Sequence, residues 1–168
     1  MESIAPGANT RVGLLFGRSD VASLLLRVMI GVVFIAHGAQ KLFGVFGGGG
    51  LDAAAKSMAG FGLRPGMFFA VLSGLVELGG GLLLLLGLLT PLAGLMIAGE
   101  MVVAIAVSSG QKGFIALSGR GYEYNLVLIA IALALVITGP GRLSLDHQLG
   151  LDQAIVDRLR RVRTKHHR

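Results

Sequence analysis

The stretch MFFAVLSGLVELGGGLLLLLGLLTPLAGLMIAGEMVVAIAVSS, residues 67–109, decides the fold. It is apolar almost throughout, breaks at Gly87 to Pro91, and carries two carboxylates, Glu77 and Glu100. Crossing ~30 Å of hydrocarbon takes about 20 largely apolar residues in a helix, so the stretch reads as two membrane spans joined by a tight turn. Thr90 is expected as N-cap and Pro91 as the first helical residue of the second span. The two spans are then antiparallel neighbours.

Similar windows flank this hairpin, so the chain offers four: 22–43, 67–89, 92–109 and 124–138. With 168 residues, 54% hydrophobic and only 14% charged, and a mean hydropathy of +0.77, the chain is far from a soluble domain. The expected fold class is all-α, an integral membrane four-helix bundle. The fourth window is short, which places Tyr122 and Glu123 at or inside its outer boundary. The first is too long for a removed secretory signal and lacks a small-residue cleavage site in the right place, so it reads as a span. Frequent glycines, among them Gly31, Gly38, Gly74, Gly79 to Gly81, Gly94 and Gly99, let helix backbones approach closely in lipid.

Residues 1–21 form a polar leader, 22–146 the membrane domain and 147–168 a basic tail. Asp20 is expected to cap the first helix. The run Gly47 to Gly50 ends that helix, and Leu51, Asp52, Ala55 and Met58 suggest a short amphipathic helix on the outer surface. Ser144 is expected to cap a second amphipathic helix, with Leu151, Ile155, Leu159 and Val162 on one face. The net charge of +6 sits beside the spans, which points to anionic lipid at the tail rather than to nucleic acid. Arg11, Arg18, Arg142 and the six basic residues of RLRRVRTKHHR (158–168) make nine on the terminal segments. Lys56, Arg64, Lys112 and Arg120 make four in the opposite loops. The positive-inside rule therefore puts both termini in the cytoplasm.

Ionisable residues at bilayer depth each cost roughly 2.5 to 3.5 kcal/mol on insertion scales, so those in the spans are the candidate site. They are Arg27, His37 and Lys41 in the first window, Glu77 in the second, Glu100 in the third and Glu123 at the mouth of the fourth. At ~100° per residue the three cationic positions fall within an arc of ~80°. Ser73, Gly74, Glu77, Gly80 and Gly81 share a face of the second span. Counting depth suggests Arg27 against Glu77 or Glu100, Lys41 against Glu123, and His37 between these layers. One of Glu77 and Glu100 is then left to keep its proton at neutral pH. The plain alternatives are structural ion pairing for Arg27, snorkelling for Lys41 and Glu123, and interfacial anchoring for Tyr122 and Tyr124. No metal site is expected, since His147, His166 and His167 all fall in the tail. No phosphate loop, catalytic triad or dinucleotide fingerprint has supporting context.

Four stretches in this order resemble the DoxX family of small four-span bacterial membrane proteins. They are LLLRVMIGVVFIAHGAQKLFG (24–44), GLVELGGGLLLLLGLLTPLAGL (74–95), GYEYNLVL (121–128) and GPGRLSLD (139–146). The resemblance implies a bundle in the cytoplasmic membrane and a loose link to redox work, relatives including a subunit of a quinone-linked thiosulfate oxidoreductase. It carries over to Arg27, His37, Lys41, Glu77 and Glu123, and less clearly to Glu100.

The leading reading is a membrane subunit associated with redox or oxidative-stress chemistry, at most accessory to a quinone-linked oxidoreductase. Arg27, His37 and Glu77 would hold a quinone head group and move its protons. The alternatives are a scaffold recruiting a partner through the basic tail, and a proton or small-solute transporter, which would need an oligomer. Partners consistent with these readings are the bilayer, a soluble or membrane redox protein, and further subunits in a homo-oligomer or hetero-complex. With no cysteine, the chain itself contributes no disulfide, thiolate or iron–sulfur chemistry.

Overall fold

The computed structural model describes residues 17–115 and 121–151, and among these every regular element is helical. Helix α1 spans Arg18–Phe43, α2 Gly50–Gly60, α3 Gly66–Leu86 and α4 Thr90–Ala104. Helix α4 continues through a wide π-type turn, Ile105–Ser109, and a tight 3₁₀ turn, Gly110–Lys112. Helix α5 spans Glu123–Thr138 and α6 is the short Leu145–Gln148. Three of these, Arg18–Phe43, Gly66–Leu86 and Thr90–Lys112, are long and apolar enough to cross a membrane, while Glu123–Thr138 is a shorter apolar helix. The amphipathic helix expected after the glycine run is α2. The tail from residue 152 onward, on which the scaffold reading depends, lies outside the described residues, as do the leader through residue 16 and loop residues 116–120.

The broadest helix contact is between α1 and α3, followed by α4 with α5. Glycine makes the first pair possible. A Cβ on Gly81 would lie 2.8 Å from the Ile35 amide nitrogen, and one on Gly38 would run into the Leu78 backbone. Close backbone approach multiplies van der Waals contact, which is the main attraction left between helices surrounded by lipid. Where the helices meet, Ile30, Phe34, Leu84, Ala93, Ile97, Leu128, Ala132 and Leu135 form a buried core. Leu25, Met29, Val32, Leu75, Val102, Val127 and Ile137 point outward and are exposed, the distribution of a protein whose surroundings are as apolar as its interior.

The end of the bundle where the described chain starts and stops is closed by a polar clasp. The Ser23 hydroxyl donates to the Gly139 carbonyl at 3.0 Å, the Arg142 amide to Asp20 Oδ1 at 2.9 Å, and the Asp146 amide to the Gly87 carbonyl at 2.9 Å. Asp146 Oδ1 and Oδ2 then accept the Leu89 and Thr90 amides at 2.8 and 3.0 Å. This corrects the expected cap of α4. Leu89, with φ of 49°, occupies the N-cap position and Thr90 is the first helical residue, because a carboxylate from a distant segment serves two free amides where a threonine hydroxyl serves one. Asp20 likewise is not the N-cap of α1. It lies in the first turn, and its Oδ2 accepts the Gly17 amide at 3.0 Å. Ser144 does cap α6, accepting the His147 amide at 3.2 Å.

Replacing Asp146 by Ala leaves two amides at the α4 start without their acceptor, a loss of about 1–3 kcal/mol. Thermal unfolding in detergent should show the midpoint lowered for Asp146→Ala and largely restored in Asp146→Glu only if the longer side chain still reaches both amides.

Candidate functional site

The packing of α1 on α3 sets Lys41, one turn beyond Gly38, opposite Glu77, which precedes Leu78. Lys41 Nζ lies 2.8 Å from Glu77 Oε1 and donates to Ser73 Oγ at 2.6 Å. Ser73, one turn before Glu77 on α3, in turn donates a hydrogen bond to Glu100 Oε1 of α4 at 2.5 Å, and Lys41 Nζ stands 3.8 Å from that same oxygen. One ammonium group thus serves two carboxylates through a hydroxyl that accepts on one side and donates on the other. Glu77 is buried, whereas the Lys41 side chain keeps 27% of its exposure, so the cation is the member reachable from outside. Glu77 Oε2 and Glu100 Oε2 are both buried without a hydrogen-bond partner among the described residues.

The pairings expected from depth counting are not those observed. Arg27 does not reach either mid-membrane glutamate. It is fully buried at the clasped end, where Nη2 donates to the Leu143 carbonyl at 2.6 Å and the guanidinium packs against Gly87. The fourteen residues from Arg27 to Lys41 put ~21 Å of helix between them, and Glu77 lies at the Lys41 level. Lys41 in turn does not pair with Glu123, because its face of α1 is turned toward α3. Glu123 begins α5, with its amide donating to the Phe114 carbonyl at 3.2 Å and its side chain against Gly121. The Tyr122 ring stands edge-on to Phe114, centroids 5.4 Å apart. Of the six sequence candidates, Lys41, Glu77 and Glu100 come together, His37 lies near Glu77 on another cavity wall, and Arg27 and Glu123 stand apart. Ser73 is the member that charge alone does not pick out. Its only sequence signal is the four-residue spacing from Glu77.

Lys41, Ser73 and Glu100 form the polar end of a cavity of about 640 Å³ enclosed by α2, α3, α4 and Gly48 to Gly50. Its remaining walls are mostly apolar, with Met58, Phe61, Leu63, Phe69, Val76 and Val107 among them. Leu72, Met96 and Val103 line it and also belong to the outward apolar surface, so it opens sideways. Gln40 shapes the rim by donating to the Phe46 carbonyl at 2.9 Å. An apolar space of this size with a few convergent polar groups is the usual form of a small-molecule site. The donor set suits a quinone, whose flat ring carries two carbonyl acceptors and a lipophilic tail. The Lys41 ammonium would donate to one carbonyl and the tail would leave through the sideways opening. Arg27, His37 and Glu77, the residues expected to hold such a head group, do not line this cavity.

A family model described as DoxX matches residues 22–110. An uncharacterized membrane protein of Mycobacterium tuberculosis is 31% identical over 147 residues, covering 81% of this chain and 86% of the relative. The Bacillus subtilis protein named "Putative oxidoreductase CatD" is 32% identical over 127 residues, 76% of this chain and 86% of its own. The inner membrane protein YqjF of Escherichia coli is 33% identical over 132 residues, 77% and 93% of the two chains. No solved structure matches significantly.

The ion-pair geometry carries its own test. Removing Lys41 alone leaves two carboxylates facing one another, and breaking a buried pair costs about 3–5 kcal/mol, less here because the lysine is partly exposed. Lys41→Met should therefore lower the thermal midpoint in detergent more than the triple change Lys41→Met, Glu77→Gln, Glu100→Gln. Equal losses would mean that the three charges are not coupled.

Proposed function

The chain belongs to the DoxX family of membrane proteins, and we propose that it is a redox-associated subunit of a bacterial cytoplasmic membrane, binding a lipid-soluble quinone in the sideways cavity. The single observation that carries this reading is the Lys41–Ser73–Glu100 triplet on the wall of a mostly apolar space open toward lipid. The redox link is supported by the name of the Bacillus subtilis relative, and the inner-membrane location by that of the Escherichia coli relative. The excess of basic residues on the terminal segments supports both termini facing the cytoplasm.

The residues divide the work. Lys41 donates toward a ligand carbonyl, and charge-assisted donation is the stronger kind, while Ser73, whose one hydrogen goes to Glu100, holds the ammonium in place. Glu100, whose Oε2 has no hydrogen-bond partner among the described residues, accepts from a hydroxyl or exchanges a proton with it. Counting charges, one ammonium and two carboxylates carry a net −1, so a single added proton neutralises the group, a favourable state at low dielectric. Met58, Phe61, Phe69 and Val76 exclude water and orient the ring and tail. A bound quinone supplies two-electron, two-proton chemistry, with the electrons arriving from a partner redox protein. The chain's own part is a shaped site and a proton store.

The test is equilibrium binding of a short-tailed ubiquinone analogue to the protein in lipid nanodiscs. Saturable binding is expected, weakened about tenfold by Ser73→Ala or Glu100→Gln, which corresponds to ~1.4 kcal/mol. Filling the cavity with Met58→Trp should abolish it. Absence of saturable binding, or binding indifferent to all three changes, sinks the quinone reading.

A further inference from the structure

We propose that a second, polar chamber beside Glu77 is the path by which aqueous protons reach the Lys41–Glu77–Glu100 group. The chamber, about 250 Å³, lies between α1, α4 and α5 and is bounded by His37, Ser109, Lys112, Tyr124 and Asn125, with Glu77 also on its wall. Each water in the liquid takes about 30 Å³, so several fit, and these side chains offer them the multiple polar partners that an ordered water needs. Lys112 and Tyr124 are exposed, which brings the chamber to the end of the bundle opposite the polar clasp.

Glu77 joins the two spaces. Its Oε1 holds Lys41, which faces the larger cavity, while the carboxylate itself lines the smaller one. Helix α4 is the partition, since Met101, Ala104 and Ser108 line both. At that level α4 widens into the π turn Ile105–Ser109, a distortion found often at functional sites. There the Ser109 hydroxyl donates to Asn125 Oδ1 at 3.1 Å, tying α4 to α5 across the chamber floor. His37 has no hydrogen-bond partner among the described residues, so both ring nitrogens are open to water in the chamber. The titratable groups around Glu77 are His37 and Lys41 from α1, Glu100 from α4, Lys112 from its continuation and Tyr124 from α5. The proposal rests on the quinone reading only for the use made of the proton, and the path is tested with no quinone present.

The experiment is a pH jump followed by time-resolved infrared spectroscopy of the full chain in nanodiscs, reading the carboxyl C=O band that Glu77→Gln or Glu100→Gln removes. Expected is a band that appears on acidification, with His37→Leu and Asn125→Leu each slowing it about tenfold or more at similar final amplitude. Ala53→Leu, which narrows the larger cavity, should leave the rate unchanged. Unchanged rates in both chamber variants, equal slowing by Ala53→Leu, or no titrating band at any accessible pH overturns the proposal. Because the chain has no cysteine, Asn125→Cys gives an independent reading that does not depend on the leucine variants folding. A charged, membrane-impermeant thiol reagent should label it in sealed vesicles, and protection of the folded protein under conditions where the denatured protein reacts overturns the path equally.

Discussion

The contact of α1 with α3, backbone against backbone, fixes the rest of the molecule. Where Gly38 meets Leu78 and Gly31 meets Gly81, no side chain intervenes, so the two helices have one register and little freedom to slide. That register sets Lys41 against Glu77 and, at the other end, Arg27 against Gly87. Any larger residue at Gly38 would push the helices apart and move the cation relative to its carboxylates by a distance that a 2.8 Å ion pair does not tolerate.

Two cations in the same helix, Arg27 fully buried and Lys41 partly so, are handled by two different kinds of partner. Lys41 meets a hydroxyl and two carboxylates, and a carboxylate can change its protonation state. Arg27 donates to a backbone carbonyl, which cannot, in a region where the nearest carboxylate, Asp146, already holds two helix amides. A permanently charged guanidinium suits a fixed structural tie, whereas an ammonium within a group of carboxylates suits a site whose charge can vary. The arrangement separates the end that holds the bundle together from the level where chemistry is proposed.

The all-helical membrane fold was legible because long apolar windows and hydrogen-bond economy in lipid leave few options. The α3–α4 turn and the helix after Gly47 to Gly50 followed from local turn chemistry. The ionisable candidates were found by their cost, which depends on composition and depth alone. Their pairing was not legible: counting residues along each helix gives depth but not which face meets which neighbour, and Arg27 is seated several helical turns from its supposed partners, against Gly87 and Leu143. Ser73 escaped selection because a hydroxyl in an apolar helix is inexpensive and therefore inconspicuous. The Asp146 cap was invisible for another reason, since local capping rules look a few residues away and this acceptor comes 56 residues later.

That late acceptor bears on the order in which the chain is assembled. Synthesis runs from the N-terminus, so α4 emerges from the ribosome before the segment around residue 146 does. Until then the amides of Leu89 and Thr90 have only water or lipid head groups to satisfy them. The cap at the start of α4 therefore forms only after the segment that follows α5 has been made. The turn that joins the two middle spans is thus finished by the last segment of the membrane domain, which ties the start of α4 to a part of the chain made after it.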